Sequence, residues 1–396
     1  MTHFVQLPTS LPSELISDLL GKLHYVSEDL ASFRWEGGSI QFETHSGREI
    51  AAEIISARIC EIAAKMCNGH REFQPRTLLT RKPANCGFNE NPWSQLEDEG
   101  NLFQFGPGRV GLGPLPVRLE AFFENGLCKL ADQLGAVRHR FPALVGAEVL
   151  QRCRYIQSFP HALSLVSHLR EDLEAIQKFA REIKLQDGAM QFPPESVGAP
   201  KCLLAPTVCF HYYAWLRDRA IDAPTTITAL GHCFRYESGA MATLERLWDF
   251  TMREIVFVGP RDYVLEQRDK CIRLTSALLD EWNLNYEIKS ATDPFFIEEY
   301  STQTAFQSAF ELKFEIRADL PYLPGKSLAV GSFNYHQDFF GRSLAIQGPG
   351  ELPAAFTGCV GFGMERLIWA FLSQHGPDPA NWPNQVRAAM NHGAVE

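Results

Sequence analysis

Apolar positions along the chain follow two rhythms, and the change from one to the other divides it. In "PSELISDLLGKL" (12–23) and "REIAAEIISARICEIAAKMC" (48–67) they recur every three to four residues, which predicts a short and a longer amphipathic helix. The same spacing in "VRLEAFFENGLCKLADQLG" (117–135), "REDLEAIQKFAREI" (170–183) and "GFGMERLIWAFLSQ" (361–374) predicts three more. Elsewhere the rhythm is alternating, or the apolar runs are short and bounded by turn residues. "SFRWEGGSIQFET" (32–44) reads as two strands joined by a Gly-Gly turn. From Leu203 onward come "LLAPTVC", "ITALGHCFRYE", "FTMREIVFVG", "LNYEIKS", "FELKFEI", "KSLAVGSFNYH" and "RSLAIQ". Strands spaced by turns and flanked by helices predict an α+β fold, a mostly antiparallel sheet backed by helices.

These elements suggest a small α+β unit over 1–70 and a polar, Pro- and Asn-rich linker over 71–104. A large domain follows over 105–396. Glycines 106, 108, 111 and 113 open that domain. They lack the Lys-Ser/Thr of a phosphate-binding loop and follow no apolar strand, so they predict a turn.

Composition narrows the class. At 396 residues, 45% hydrophobic and 21% charged, the chain reads as an ordinary soluble globular protein. Its formal net charge is −10 and it has no Lys/Arg run, which argues against a dedicated nucleic-acid domain. The N-terminus lacks the pattern of a signal peptide, and no window of about twenty apolar residues could span a bilayer. The ten cysteines form no C-x-x-C pair. They are expected to be reduced thiols of a cytoplasmic protein.

The chemistry concentrates in "GHCFRYESGAMATLERLWDFTMREIVFVG" (231–259), read as two strands and a loop. Alternation places Arg235 and Glu237 on one face of the first strand, and Phe250, Met252, Glu254 and Val256 on one face of the second. If the faces coincide, the set suits a nucleotide. Arg235 would hold an α-phosphate and Arg246 the terminal phosphates. Phe250 offers a plane for a purine, and Glu237 an acceptor for its amine. An outward salt-bridge ladder would have the same pattern. Arg366, in the first turn of the last helix, runs against the macrodipole unless an anion sits nearby, though it could also snorkel to solvent.

Together these stretches resemble the catalytic domain of class II aminoacyl-tRNA synthetases. "FRYE…ERLWDFTMRE" is similar to the second motif of that class and "GFGMERL" to its third. "VRLEAFFENGLCKLADQLGAVRHRFP", ending at Pro142, is similar to the first, a homodimer interface. The resemblance implies the class II fold over 105–396, with ATP held by Arg235, Glu237, Arg246, Phe250 and Arg366. Catalysis would fall chiefly to Arg235 and Arg366, with Mg2+ on the phosphates. The acid that usually coordinates magnesium before the third motif is missing from "SLAVGSFNYHQDFFG". Asn334, His336 and Asp338 are candidate polar groups there.

Where many synthetases have Thr-x-Glu to hold the substrate ammonium, this chain has Thr207, Val208 and Cys209. A thiol cannot form that salt bridge, but it can ligate a metal. On spacing alone, Cys209, Glu254 and Cys359 are no local zinc signal. Within the resemblance they match the zinc site of the atypical seryl-tRNA synthetases of methanogens and of their short homologues, the amino acid:[carrier protein] ligases. "PTVC" and "TGCVGFGMERL" resemble the second group.

The implied function is ATP-dependent activation of an amino acid as its adenylate, followed by transfer to the phosphopantetheine thiol of a carrier protein. Zn2+ would select the amine, and tRNA is disfavoured as acceptor. A seryl-type tRNA ligase and a catalytically silent paralogue are the alternatives. The N-terminal unit receives no role.

Overall fold

Short runs of alternating apolar residues build the first unit of the chain. β1 (Thr2–Gln6), β2 (Leu30–Glu36) and β3 (Ser39–Thr44) pair antiparallel in the order β1-β3-β2. Gly37 and Gly38 both take positive φ in the turn between β2 and β3, as that Gly-Gly pair predicts. The helices Ser13–Leu23 and Ala52–Cys67 bury Leu15, Leu19, Ile55, Ile59 and Met66 against this sheet. The computed structural model describes residues 2–7, 11–45, 52–68, 75–83, 87–238, 241–293 and 311–392. The predicted start of the second helix, 48–51, lies outside them.

The stretch read as a linker is more ordered than its composition suggests. β4 (Thr77–Arg81) joins the main sheet at its edge, antiparallel to β15 (Tyr286–Ser290), and Trp93–Asp98 forms a short helix. Thr77–Arg81 reads Thr-Leu-Leu-Thr-Arg with only Leu78 and Leu79 half-buried, too short a run to show a strand period in the sequence. The glycine-rich turn is the tip of a hairpin, β5 (Leu102–Gly106) and β6 (Arg109–Leu112). There Gly108 takes φ 65°, and a Cβ would lie 2.6 Å from the Trp248 backbone nitrogen.

The helix Pro114–Gln133 follows, started by prolines in its first turn. It buries Leu115, Leu119, Phe123, Leu127 and Leu130 along one stripe. β7 (Val137–His139) lies parallel to β13 (Thr225–Phe234), the one parallel pairing of the described main sheet. Smaller pieces come between: β8 (Leu144–Gly146), β9 (Leu165–Val166) and β12 (Cys202–Leu204) form one sheet, β10 (Lys184–Gln186) and β11 (Ala189–Gln191) a hairpin.

β13 pairs over ten residues with β14 (Asp249–Gly259). β16 (Lys313–Asp319), β17 (Ser327–Gln337) and β18 (Phe356–Gly363) complete the sheet, in the order β4-β15-β16-β17-β18-β14-β13-β7. One face packs on the helices Pro114–Gln133, Arg261–Glu281 and Met364–His375, through Phe123, Phe257, Val360 and Trp369. The other face carries Cys209, Val256 and Cys359 over a second core with Tyr213 and Phe340.

Two expectations change. "RSLAIQ" is no strand: Phe339–Ser343 is a short helix, and only an isolated bridge links Gln347 to Ala220. The helix Met364–His375 is followed by a further helix, Asn384–His392, and has no one-sided stripe. Met364, Glu365 and Leu367–His375 are all buried, because sheet and helices surround it.

Candidate active site

The sulfur end of the site is assembled from three elements. Cys209 is the first residue of the helix Cys209–Leu216, Glu254 sits mid-strand in β14, and Cys359 in β18. In register, Glu254 opposes Gly361 of β18, and Cys359 opposes Val256 of β14 and Asn334 of β17. Alternation therefore delivers both side chains to the same floor. Their ligand atoms and the Cys209 sulfur all lie within 4.8 Å of one another, and all three residues are buried.

The carboxylate is held from behind. Glu254 accepts the backbone N–H of Val208 at 3.0 Å and of Cys209 at 2.9 Å, which answers two donors that the start of that helix would otherwise leave unpaired. Burial, then the charge on Cys359, pushes the Glu254 carboxyl up to about 8. The hydrogen bond between the two thiols drives Cys209 up and Cys359 down. Asn334 Nδ2 donates to the Cys359 sulfur at 3.5 Å, and His336 Nε2 lies 3.7 Å from it. His336 Nδ1 in turn lies 3.3 Å from Thr357 Oγ1 and 3.4 Å from the Tyr213 hydroxyl. Thr207 Oγ1 is 3.2 Å from the Cys209 sulfur. Two thiols and a carboxylate, buried together with polar side chains beside each sulfur, are a donor set that fits Zn2+.

The arginine end lies along the same floor. Arg235 and Glu237 lie just beyond the end of β13 rather than within it, because strand pairing stops at Phe234 and Asp249. Arg235 Nε donates to the Pro206 carbonyl at 3.0 Å, and its guanidinium stands 5.4 Å from the centre of the Phe250 ring. Glu237 accepts from Arg246 in the loop. Burial alone would raise Glu237, but Arg246, Arg366 and Arg235 outweigh it and hold the carboxyl below its ordinary value. Arg366 donates to the carbonyls of Glu245 at 2.6 Å and of Ala329 at 3.2 Å. It points into the site, not to solvent. Gly361 leaves room on the floor, since a Cβ there would come within 2.5 Å of the Met252 methyl and 3.7 Å of Glu254 Cγ.

All eight predicted residues thus converge on one floor, sulfurs at one end and guanidinium groups at the other. The candidate magnesium groups separate. Asn334 faces Cys359, and Asp338 accepts Arg342 Nε at 2.5 Å. Sequence reading missed Glu315, which opposes Ser332 across β16 and β17 and pairs with Lys313 and Arg317. Its signal is the alternation of "KFEIRAD", which puts it on the floor side with those two cations. Tyr213, whose hydroxyl lies by His336 beside the sulfurs, had no spacing signal. A groove of about 930 Å³ opens on the opposite sheet face, beside the helix Pro114–Gln133 and β7, lined by Glu120, Glu124, Arg138, His139, His232 and Arg253. Its Arg253 bonds Glu124 and, at 3.1 Å, Thr228.

The sheet order, the arginines on its floor and the helix after β18 define a class II aminoacyl-tRNA synthetase catalytic fold. Superposition agrees over 99% of this chain with Methanopyrus kandleri SerRS in complex with Aquifex aeolicus tRNASec, at TM-score 0.73 and 20% identity, covering 78% of that chain. Pyrococcus horikoshii seryl-tRNA synthetase complexed with ATP gives TM-score 0.55 at 17% identity, over 79% of this chain and 64% of that one. No protein-family model matches. Among sequences, an amino acid–[acyl-carrier-protein] ligase of Bradyrhizobium diazoefficiens is 34% identical over 254 residues, 63% of this chain and 72% of that protein. A type-2 serine–tRNA ligase of Methanococcus aeolicus is 25% identical over 346 residues, 84% of this chain. The chain spans 65% of that ligase's length, just under two thirds. It belongs to the class II synthetase-like amino acid–[carrier protein] ligases, a ligase family related to the type-2 serine–tRNA ligases.

Proposed function

We propose that the chain activates a free amino acid as its adenylate and passes it to the phosphopantetheine thiol of a carrier protein. The observation that carries this reading is the convergence of Cys209, Glu254 and Cys359 beside the arginines on one sheet floor. Held by these three residues, Zn2+ would supply a Lewis acid that binds a neutral amine more strongly than a hydroxyl, which would favour amino acids over hydroxy acids. The residues of the chain do the rest. The Val208 and Cys209 amides fix the Glu254 carboxylate, and Asn334 and His336 favour a thiolate at Cys359.

Arg235, levered over Phe250 by the Pro206 carbonyl, faces the α-phosphate of ATP, which arrives with its Mg2+. Phe250 takes the purine plane and Glu237 its amine. Arg246 then turns from Glu237 to the terminal phosphates, beside Arg366. A carboxylate oxygen of the amino acid attacks the α-phosphorus in line, the bond to the bridging oxygen breaks, and pyrophosphate leaves with that electron pair. The carrier thiolate next attacks the adenylate carbonyl. A C–S bond forms, AMP departs, and a thioester remains. Positioning supplies most of the rate. The groove around Glu124 and Arg253 is read as the seat of a second copy, on the face that resembles the first motif.

Charging of tRNA is the second reading, favoured by the superposition with a tRNA-bound enzyme that includes the N-terminal unit. Against it, residues 1–68 hold five Lys or Arg and nine Asp or Glu, the wrong balance for a polyanion. No membrane is implied: no described helix is long and apolar enough to cross one.

The test is amino-acid-dependent pyrophosphate exchange with a panel of amino acids, followed by transfer of the active one to holo-carrier protein or to tRNA. Thioester on the carrier, seen as a mass increase that hydroxylamine removes, is expected. Transfer to tRNA alone would overturn the carrier reading in favour of the second.

A further inference from the structure

The N-terminal unit reaches the nucleotide end of the site through one side chain. Tyr25 lies in the turn after the helix Ser13–Leu23, and its hydroxyl bonds to the segment after β13. It donates to the Tyr236 carbonyl at 3.4 Å and accepts the Ser238 N–H at 3.1 Å. Those two backbone groups flank Glu237, the carboxylate that grips Arg246. One phenol therefore pins the main chain on both sides of Glu237.

Its ring is fixed as well. It stands edge-on to His161, centroids 4.9 Å apart at 62°, in the segment whose Ala162 carbonyl accepts the Tyr236 N–H at 3.2 Å. Phe159 of the same segment packs into the N-terminal core. Burial, then the charge on Glu237, pushes the phenol up to about 12, so the hydroxyl remains a donor throughout the neutral range. The neighbouring His24 ring packs on Phe33 of β2 at 4.6 Å, which ties the turn to the small sheet.

We propose that Tyr25 is a positioning residue for ATP, and that the N-terminal unit braces the loop bearing Glu237 and Arg246. The proposal rests on the reading of Glu237 and Arg246 as nucleotide-binding groups. A loop that loses its brace samples conformations in which Glu237 and Arg246 no longer meet ATP together, so the cost falls on nucleotide affinity. The amino acid, held at the far end of the floor, is not affected.

Tyr25→Phe in the full chain removes only the hydroxyl. Calorimetric ATP binding is expected to weaken about tenfold, the scale of two lost hydrogen bonds, with the ATP KM in pyrophosphate exchange rising in parallel. The amino-acid KM, kcat and the unfolding temperature stay near the wild-type values, whereas a merely structural tyrosine would move the unfolding temperature and spare the ATP constants. Wild-type protein that binds ATP beside a Tyr25→Phe variant that binds it equally well would overturn this inference alone. Wild-type protein that binds no ATP would overturn the nucleotide reading and this inference with it.

Discussion

The two ends of the floor are built on opposite plans. At the sulfur end every ligand atom stands on a regular element: two central strands and the start of a helix that the Glu254 carboxylate itself satisfies. At the arginine end, Glu237 and Arg246 lie in a loop beyond the last strand pair, and the Arg246 side chain is half exposed. The contrast teaches a division of labour. A buried donor set must be rigid, because a misplaced thiolate or carboxylate has no water to turn to. A nucleotide that enters and leaves needs groups that can change partners, and Arg246 has one in Glu237.

The largest expected effect lies at the rigid end. Cys359→Ser should lower pyrophosphate exchange by about a thousandfold, on the order of 4 kcal/mol of barrier, and bound zinc, measured by elemental analysis, should fall with it. Full exchange in a zinc-free variant would end the proposed role of the metal and leave the contrast without its basis. Next comes Arg366→Lys. The charge survives but the fork that spans the Glu245 and Ala329 carbonyls does not, so exchange should fall about a hundredfold. If lysine serves as well, the arginine end needs only charge, and the geometric part of the comparison fails.

The last test concerns stability rather than rate. Glu365, next to Arg366, accepts the Thr251 N–H of β14 with both oxygens at 2.9 Å, and burial raises its carboxyl to about 7 from an ordinary 4.5. The folded value lies above the unfolded one, so the folded state prefers the protonated acid. Stability is greatest below 4.5 and is lost as pH climbs through 7, by about 3 kcal/mol in all. Glu365→Gln should flatten that slope. Thermal unfolding of wild type and variant between pH 5 and 8 measures it, and parallel curves would show that the carboxyl titrates normally.

Much of this was legible in the sequence because it rests on alternation. Phe250, Met252 and Glu254 share a face in any strand, and "GFGMERL" announces a backbone turn into a helix. What stayed hidden depends on elements far apart in the chain. Glu254 caps a helix that begins 45 residues earlier, at Cys209, and no local pattern reports that. Tyr25 meets Ser238 across 213 residues. β4 resembled a linker because five residues, three of them polar, are too few to show a period, and the helix Met364–His375 showed a false stripe because its Gln374 and His375 find backbone carbonyls inside the core.

β18 comes last of the strands in the chain, yet it lies between β17 and β14 in the sheet. Until β18 and the helix after it are made and in place, β17 and β14 each present an open edge, and Cys359 and Arg366 are both missing from the floor. An open edge is a template for pairing with other strands, and closing it by a long-range contact is an intrinsically slow step. The strand that closes the sheet also sets Cys359 opposite Val256 and Asn334, so the candidate sulfur end exists only once the sheet is whole.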